Sequence, residues 1–471
     1  MLEEKFNCSV IGLLVDIFGK DSVLSAKEDR LSYSYDATGE MFLPDAVVFA
    51  SSAKEISKLL KLANREGFPV TTRGAGSGFT GGSLPLEGGV VLSTERMNSI
   101  IEIDDANLVA TVEPGVVNFD LQDAVKEVGL FYPPDPTSLR FSTIGGNIAE
   151  CAGGPRGIKY GVTKDYVLGL DLVLPTGEMV STGVKTMKGV VGYDLTKLIV
   201  GSEGTLAVIT RAYLKLIPLP EKVRTLLAVF PTIKDAATAV SAITKSRLVP
   251  STLEFIDRIC VDAVKEHSDF ELPDGAEAVL LIEVDGESVE TEKAAATVTR
   301  SAYDSNAIEV TEASGKKETR RLWEARRAVS PSLKKIKPDK LNEDVVVPRS
   351  RIPELIEGVE SIANDKDVII ACFGHAGDGN IHVNVMIDKG EPGEEERGLA
   401  AVKDIFSLTL RLEGTISGEH GIGTAKAPYL AMELGPEVIG IMKGIKKLFD
   451  PNNILNPGKI FDLSGKDGVE S

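Results

Sequence analysis

Three of the four histidines stand in two short glycine-rich motifs. The first is Gly374-His375-Ala376-Gly377-Asp378-Gly379-Asn380-Ile381-His382-Val383-Asn384, and the second is Ser417-Gly418-Glu419-His420-Gly421-Ile422-Gly423. The first motif reads as strand, tight turn, strand. His375 ends one strand and His382 begins the next, so a hairpin brings the two imidazoles together. Glu419 could add a carboxylate. Two neutral imidazoles and one carboxylate with an open position form a donor set of the catalytic zinc type. The same donors accept Fe(II), Mn(II) or Co(II), and the residue types do not choose among them. The remaining histidine, His267, is isolated on a predicted surface helix and is assigned no role.

A different chemistry is written into Arg73-Gly74-Ala75-Gly76-Ser77-Gly78-Phe79-Thr80-Gly81-Gly82. Glycine lets backbone N–H groups turn inward and approach a ligand with no side chain in the way. A concave row of such groups cradles an anion and suits a diphosphate; Arg73 could add a fixed charge. The GxGxG spacing of Gly74, Gly76 and Gly78 fits a nicotinamide fingerprint poorly. The Gly-Lys-Ser/Thr ending of a Walker loop is absent.

The elements that must position these residues are legible around them. Ile56, Leu59, Leu60, Leu62 and Ala63 predict a helix before the cradle, and Phe68 to Thr72 a strand leading into it. Ala110 to Val116 reads as a strand ending in a turn, followed by a helix near 118–128. Pro133-Pro134-Asp135-Pro136 makes a rigid, non-helical corner. A second glycine-rich stretch, Ser142-Thr143-Ile144-Gly145-Gly146-Asn147-Ile148-Ala149-Glu150 with Gly153-Gly154 and Gly161, offers small residues and hydroxyls to a flat ring or a ribityl chain.

Pro218-Leu219-Pro220 marks a boundary. Beyond it strands and helices alternate: 225–230, 233–246, 251–257, 279–284, 287–303 and 307–311, an order close to a ferredoxin-like unit. After a helix at 317–336 a second copy is expected, with a strand at 344–347, a helix at 351–364, strands at 368–373 and 381–387, a helix at 394–412 and a final strand at 414–416. The two halves could share one sheet.

The order of Pro44-Asp45-Ala46-Val47-Val48, a helix, the cradle, and Gly88-Gly89-Val90-Val91-Leu92 resembles the FAD-binding domain of the vanillyl-alcohol oxidase and p-cresol methylhydroxylase family. Gly201-Ser202-Glu203-Gly204 through Ile209 and the tail Asp450-Pro451-Asn452-Asn453-Ile454-Leu455-Asn456-Pro457-Gly458-Lys459 extend the likeness. The histidine motifs resemble the C-terminal domain of FAD-linked D-2-hydroxy acid dehydrogenases. This resemblance, which runs from about residue 33 to 461, implies an α+β architecture: a p-cresol methylhydroxylase-type FAD domain and a ferredoxin-like, mostly antiparallel cap. It implies FAD contacts along Arg73–Gly78 and Thr80–Gly82, at Pro134 and Asp135, and at Ser142, Thr143, Gly145, Gly146, Asn147 and Ala149. Further contacts are implied at Gly153, Gly154, Gly161, Glu203, Gly204, Ile209 and Asn456, with Lys459 nearby. Residues 73–82 contain no histidine, so FAD is expected to be held there without a covalent link. His375, His382 and Glu419 are implied to hold a divalent metal, zinc first and iron or manganese next. His420 is implied as the base beside a small 2-hydroxy acid such as D-lactate or glycolate, with Asn384 touching that substrate. A carboxylate substrate needs a cationic clamp. Arg326 and Arg327 follow Trp323 on a helix, and the family pattern favours Arg326, with Ser330 a turn further on and Lys340 as the nearest candidate for a second cation.

Composition agrees with an enzyme of this kind. The 471 residues suffice for two or three domains, segmented as 1–43, 44–220, 221–448 and 449–471. A net charge of −18 argues against nucleic acid and anionic membrane as partners. The four cysteines are widely spaced, which fits reduced thiols in a cytoplasmic protein and supplies no iron–sulfur ligand set. Electrons must therefore leave to an iron–sulfur protein, an electron-transfer flavoprotein or a quinone-linked partner. No apolar run is long enough to span a membrane, and the apolar residues from Val10 to Phe18 read as an amphipathic helix. Any membrane association is expected through a partner.

Overall fold

The computed structural model describes residues 8–264, 273, 275–461 and 463; His267 lies outside them. The chain forms two compact units. One comprises Met1–Ala152, Val162–Leu219 and Glu419–Ser471, and the other Gly153–Gly161 and Pro220–Gly418. The division differs from the sequence segmentation in two places: Gly153–Gly161 joins the second unit, and the chain re-enters the first at Glu419 rather than at 449.

In the first unit, Ala46–Phe49, Val90–Ser93 and Val70–Arg73 lie parallel, in that order, with Val23–Leu24 antiparallel on the outer edge. Ala46–Phe49 and Val90–Ser93 are buried along their whole length, which is why they read as continuous apolar runs rather than alternating ones. The crossover is the helix Ala53–Glu66. Ser52 caps it by accepting from the Glu55 N–H, and Gly67 closes it in the left-handed region. Its Ile56, Leu59, Leu60, Leu62 and Ala63 are buried in a core shared with Val10, Leu14 and Phe18 of the helix Cys8–Phe18. A second, antiparallel sheet runs Ile100–Asp104, Val109–Val112, Val208–Lys215, Val167–Val173, Met179–Gly183.

The tail is tied back onto the first sheet. Leu455 bridges Val70 in parallel, and Val70 N–H donates to the Ile454 carbonyl at 2.8 Å. Buried Lys446, on the helix Pro436–Phe449, donates to the Thr205 and Leu455 carbonyls and pairs with Asp450. Asp450 in turn accepts from the N–H groups of Ile454 and Leu455.

The second unit is one seven-stranded antiparallel sheet, ordered Glu309–Glu312, Lys222–Phe230, Ala278–Gly286, Thr252–Asp257, Ile369–His375, Asn380–Ile387, Asp339–Val346. The first four strands have ferredoxin-like order. The last three repeat it in reverse from the junction between Thr252–Asp257 and Ile369–His375, so the halves do share one sheet. The expected strand at 414–416 is reduced to one bridge: Thr415 and Val346 exchange both backbone hydrogen bonds. The chain then turns, and Gly418 N–H donates to the Asp344 carbonyl at 3.0 Å and to its carboxylate at 2.9 Å. The strand expected at 344–347 begins earlier, at Asp339. The helix expected at 317–336 ends at Ser332 and tightens into a short 3-10 turn, Leu333–Lys335.

Candidate active site

In the second unit the register gathers polar side chains on one face of the sheet. Phe373 lies opposite His382, Ala371 opposite Asn384, and Asp344 and Asn342 pair with His382 and Asn384 from the other side. Side chains two residues apart share a face, so His375, Phe373, His382, Asn384, Asp344, Asn342 and Lys340 all project the same way. The His375 and His382 rings stand 5.1 Å apart and nearly perpendicular. The hairpin therefore brings the two imidazoles together, as the Gly/Asp/Asn turn required.

A residue the sequence did not disclose orients them. Ile256 pairs with Phe373 and Phe255 with Gly374; one step further sets Glu254 against His375. Glu254 is completely buried, and its Oε1 lies 2.6 Å from His375 Nδ1. Its Oε2 accepts from Arg326 Nε at 2.7 Å and sits 2.6 Å from Nη2. Burial alone would raise this carboxyl. His375 and Arg326 outweigh that effect and hold it at about 2. An ionised Glu254 fixes the proton of His375 on Nδ1 and leaves Nε2 as its ligand atom, the arrangement that carboxylates impose on metal-binding histidines. The donor set is thus chemically fit for a divalent ion. The sequence signal for Glu254 is an acid between the apolar residues Leu253 and Phe255 of the strand Thr252–Asp257.

Arg326 is buried, stacked over Phe373 at 4.6 Å and engaged with Glu254. Four residues on, Ser330 accepts from Lys340 Nζ at 2.6 Å. Burial first, and then Lys334, bring the Lys340 ammonium down to about 8. Asn384 is buried with its amide donating to the Ala371 and His382 carbonyls, while its Oδ1 has no partner in the protein.

In the first unit four distant stretches are hydrogen-bonded together. Thr80 Oγ1 donates to the His420 carbonyl at 3.0 Å, and Thr424 N–H donates to the Thr80 carbonyl at 2.7 Å. Glu203 accepts from the N–H groups of Ile422 and Gly423 at 2.7 and 2.6 Å. Asn456 Nδ2 donates to the Gly82 and Glu203 carbonyls, each at 2.8 Å, and Lys459 donates to the Leu84 carbonyl. The cradle, the Glu203 turn, the Glu419–Thr424 segment and the tail therefore form one platform. His420 stacks against Phe79 at 5.1 Å, with Glu419 Oε1 at 3.9 Å from its Nε2. Glu150 lies beneath Gly82 and Gly421. Burial pushes its carboxyl well above the usual range, with Glu203 and Asp36 adding to the rise.

The platform fits a flavin dinucleotide. Thr72 Oγ1, Tyr132 Oη, Ser142 Oγ, Asn147 Nδ2 and Asn456 Oδ1 are all buried with no partner in the protein. Leaving one such group unpaired costs about 1–3 kcal/mol, so these groups are available to a polar ligand. Gly78 opens onto empty space, whereas Gly76, at φ +64°, has the Arg73 guanidinium packed where a side chain would be. Arg73 itself is buried beneath the loop and lies over the Tyr33 ring. Thr143 caps the helix Ile144–Glu150 and touches Gly74. Gly145 donates to the Pro114 carbonyl, and the Ala149 carbonyl accepts from Glu203 N–H. Pro134 offers its carbonyl to Asn118 and Gln122, and Asp135 and Ile209 are buried. Gly153, Gly154 and Gly161 belong to the second unit.

Comparison with known proteins agrees with this geometry. Residues 44–183 match the family model described as FAD binding domain, and residues 219–460 match that described as FAD linked oxidases, C-terminal domain. The chain is 46% identical over 449 residues to "Glycolate oxidase subunit GlcD" of Bacillus subtilis, covering 95% of this chain and 96% of that one. It is 39% identical over 428 residues to "D-lactate dehydrogenase" of Anaerostipes hadrus, covering 88% and 89%. The crystal structure of p-cresol methylhydroxylase superposes with a TM-score of 0.82 over 98% of both chains at 19% identity, a likeness of fold.

Removing the charge of Glu254 leaves Arg326 and His375 buried without their counter-ion. Glu254→Gln is expected to cost about 3–5 kcal/mol in denaturant unfolding at pH 7. The folded carboxyl sits at about 2, below its unfolded value near ~4.3, so its stabilising contribution is complete above the unfolded value. It fades as pH falls from there toward the folded value. The variant's deficit should shrink over that acidic window.

Proposed function

This chain belongs to the FAD-linked oxidase family, and on that premise we propose that it is a dehydrogenase of a small D-2-hydroxy acid, D-lactate or glycolate, forming the 2-oxo acid. The observation that carries this reading is the single sheet face bearing His375, His382, Asn384 and the Lys340–Ser330 pair, with Glu254 fixing His375. Two imidazoles on the same sheet face as a half-buried cation suit a substrate that carries a hydroxyl next to a carboxylate. The curated relatives named for glycolate and D-lactate support that substrate class.

His375 and His382 would hold a divalent ion, zinc first and iron or manganese next. Glu419 would supply the carboxylate of that donor set. Such an ion supplies Lewis acidity toward the substrate hydroxyl. Lys340 and Ser330 take the substrate carboxylate, and Arg326 acts chiefly through Glu254. Asn384 offers its unpartnered Oδ1 to the substrate. His420 receives the hydroxyl proton as general base. Its backbone is held by Thr80, and the segment that follows it by Glu203. The Arg73–Gly82 platform would hold FAD non-covalently, and FAD would supply the two-electron acceptor. The electrons then pass to a separate acceptor: an iron–sulfur protein, an electron-transfer flavoprotein or a quinone. The Bacillus subtilis relative's designation as a subunit supports a separate acceptor. Among the described residues no helix is long and apolar enough to cross a membrane.

Anaerobic rapid mixing tests these roles. His420→Ala should slow flavin reduction by about 10²–10⁴-fold while FAD content is unchanged; reduction at the wild-type rate would remove His420 from its role. Chelator treatment should abolish reduction, and add-back of zinc, manganese or iron should identify the ion. Lys340→Met should raise KM far more than it lowers kcat. In the wild type, substrate affinity should fall above about pH 8, as Lys340 loses its proton; a KM independent of Lys340 and of pH would contradict the clamp.

A further inference from the structure

The helix Pro436–Phe449 carries more apolar surface than its own unit covers. One side packs inward through Met442, Lys446 and Phe449, with Lys446 fully tied to Thr205, Leu455 and Asp450. The adjoining side bears Val438, Ile441, Ile445 and Leu448, and Leu434 just before the helix extends the row. Val438 is 46% exposed, Ile441 65% and Leu448 79%. The spacing of four and three residues, repeated, is that of a coiled-coil seam. A lone exposed leucine means little, but a seam of this length on a rigid helix marks an interaction face. Along its solvent-side flank run Glu437, Gly440, Gly444 and Lys447, with open space beside both glycines.

We propose that this face pairs with the same face of a second copy of the chain, the two helices running antiparallel across a two-fold axis near Ile441. The charge order selects that occupant. Glu437 lies in the first turn and Lys447 in the last. An antiparallel pair sets each Glu437 toward the partner end that carries Lys447, whereas a parallel pair would oppose like charges. A two-fold contact requires just such a self-complementary patch. The chain as a whole, at net charge −18, repels its own kind, and this helix places an exposed lysine where a self-contact needs one. Gly440 and Gly444 leave room for close approach of the backbones. Because Lys446 and Asp450 already fix the helix, pairing orders little that is not ordered.

Sedimentation velocity of the full-length, FAD-loaded chain from about 1 to 100 µM tests the pairing. A concentration-dependent dimer is expected. Ile441→Glu and Leu448→Glu should each give a monomer with an unchanged flavin spectrum, which certifies the fold. Glu437→Lys and Lys447→Glu should each weaken the dimer, and combining them should restore it. A wild type that stays monomeric throughout, including one that binds a different protein on this face, overturns the proposal. So does a dimer indifferent to Ile441→Glu, or charge reversals whose effects merely add.

Discussion

A single carboxylate, Glu254, sets the terms for the second unit. It lies in the interior of a seven-stranded sheet with no access to water, a placement that costs several kcal/mol unless compensated. Compensation comes from two directions: Arg326 reaches down from the helix Lys316–Ser332, and His375 lies across from the neighbouring strand. The consequence is geometric. The helix is pinned over one face of the sheet, the His375 ring is held in one orientation and one tautomer, and that ring stands beside His382. The strand pairing that joins the two ferredoxin-like halves is the pairing that places Glu254 opposite His375. The architecture and the site therefore rest on one junction.

The first unit uses buried carboxylates differently. Glu203, itself in the left-handed region at φ +52°, spends its oxygens on two backbone N–H groups just after His420. Burial raises its carboxyl in spite of these donors, and Glu150 nearby, without such donors, is raised further. These groups hold the backbone that carries His420 against the cradle loop. The tail reinforces them through Asn456 and Lys459. A platform assembled from four separate stretches is stiff where a dinucleotide must lie, and its unpartnered hydroxyls and amides remain available to that ligand.

Much of this was legible because certain residues have few other uses. The glycine run at 74–82, the paired histidines around a Gly/Asp/Asn turn and the helix-spaced leucines of Ala53–Glu66 each point to one local structure. The alternation of elements beyond Pro220 gave the doubled ferredoxin-like order. What stayed hidden depends on partners distant in the chain. Glu254 looks like an interruption in an apolar strand until its register neighbour is known. The strand Asp339–Val346 starts in Asp-Lys-Leu-Asn-Glu, which reads as loop because its side chains pair across a sheet edge. Gly414–Ile416 has strand composition, yet only Thr415 forms a bridge, to Val346. That Gly153–Gly161 belongs with the second unit was equally hidden, since it depends on Lys159 and Tyr160 binding distant Asp285.

The proposed reaction is oxidation of a hydroxyl next to a carboxylate. The most direct test is an anaerobic titration of the FAD- and metal-loaded protein with D-lactate, L-lactate and glycolate, followed by flavin absorbance. The account predicts bleaching by D-lactate or glycolate, with L-lactate inert. Flavin that stays oxidised in excess D-lactate, glycolate and D-2-hydroxyglutarate alike, or that is bleached equally by L-lactate, would contradict it.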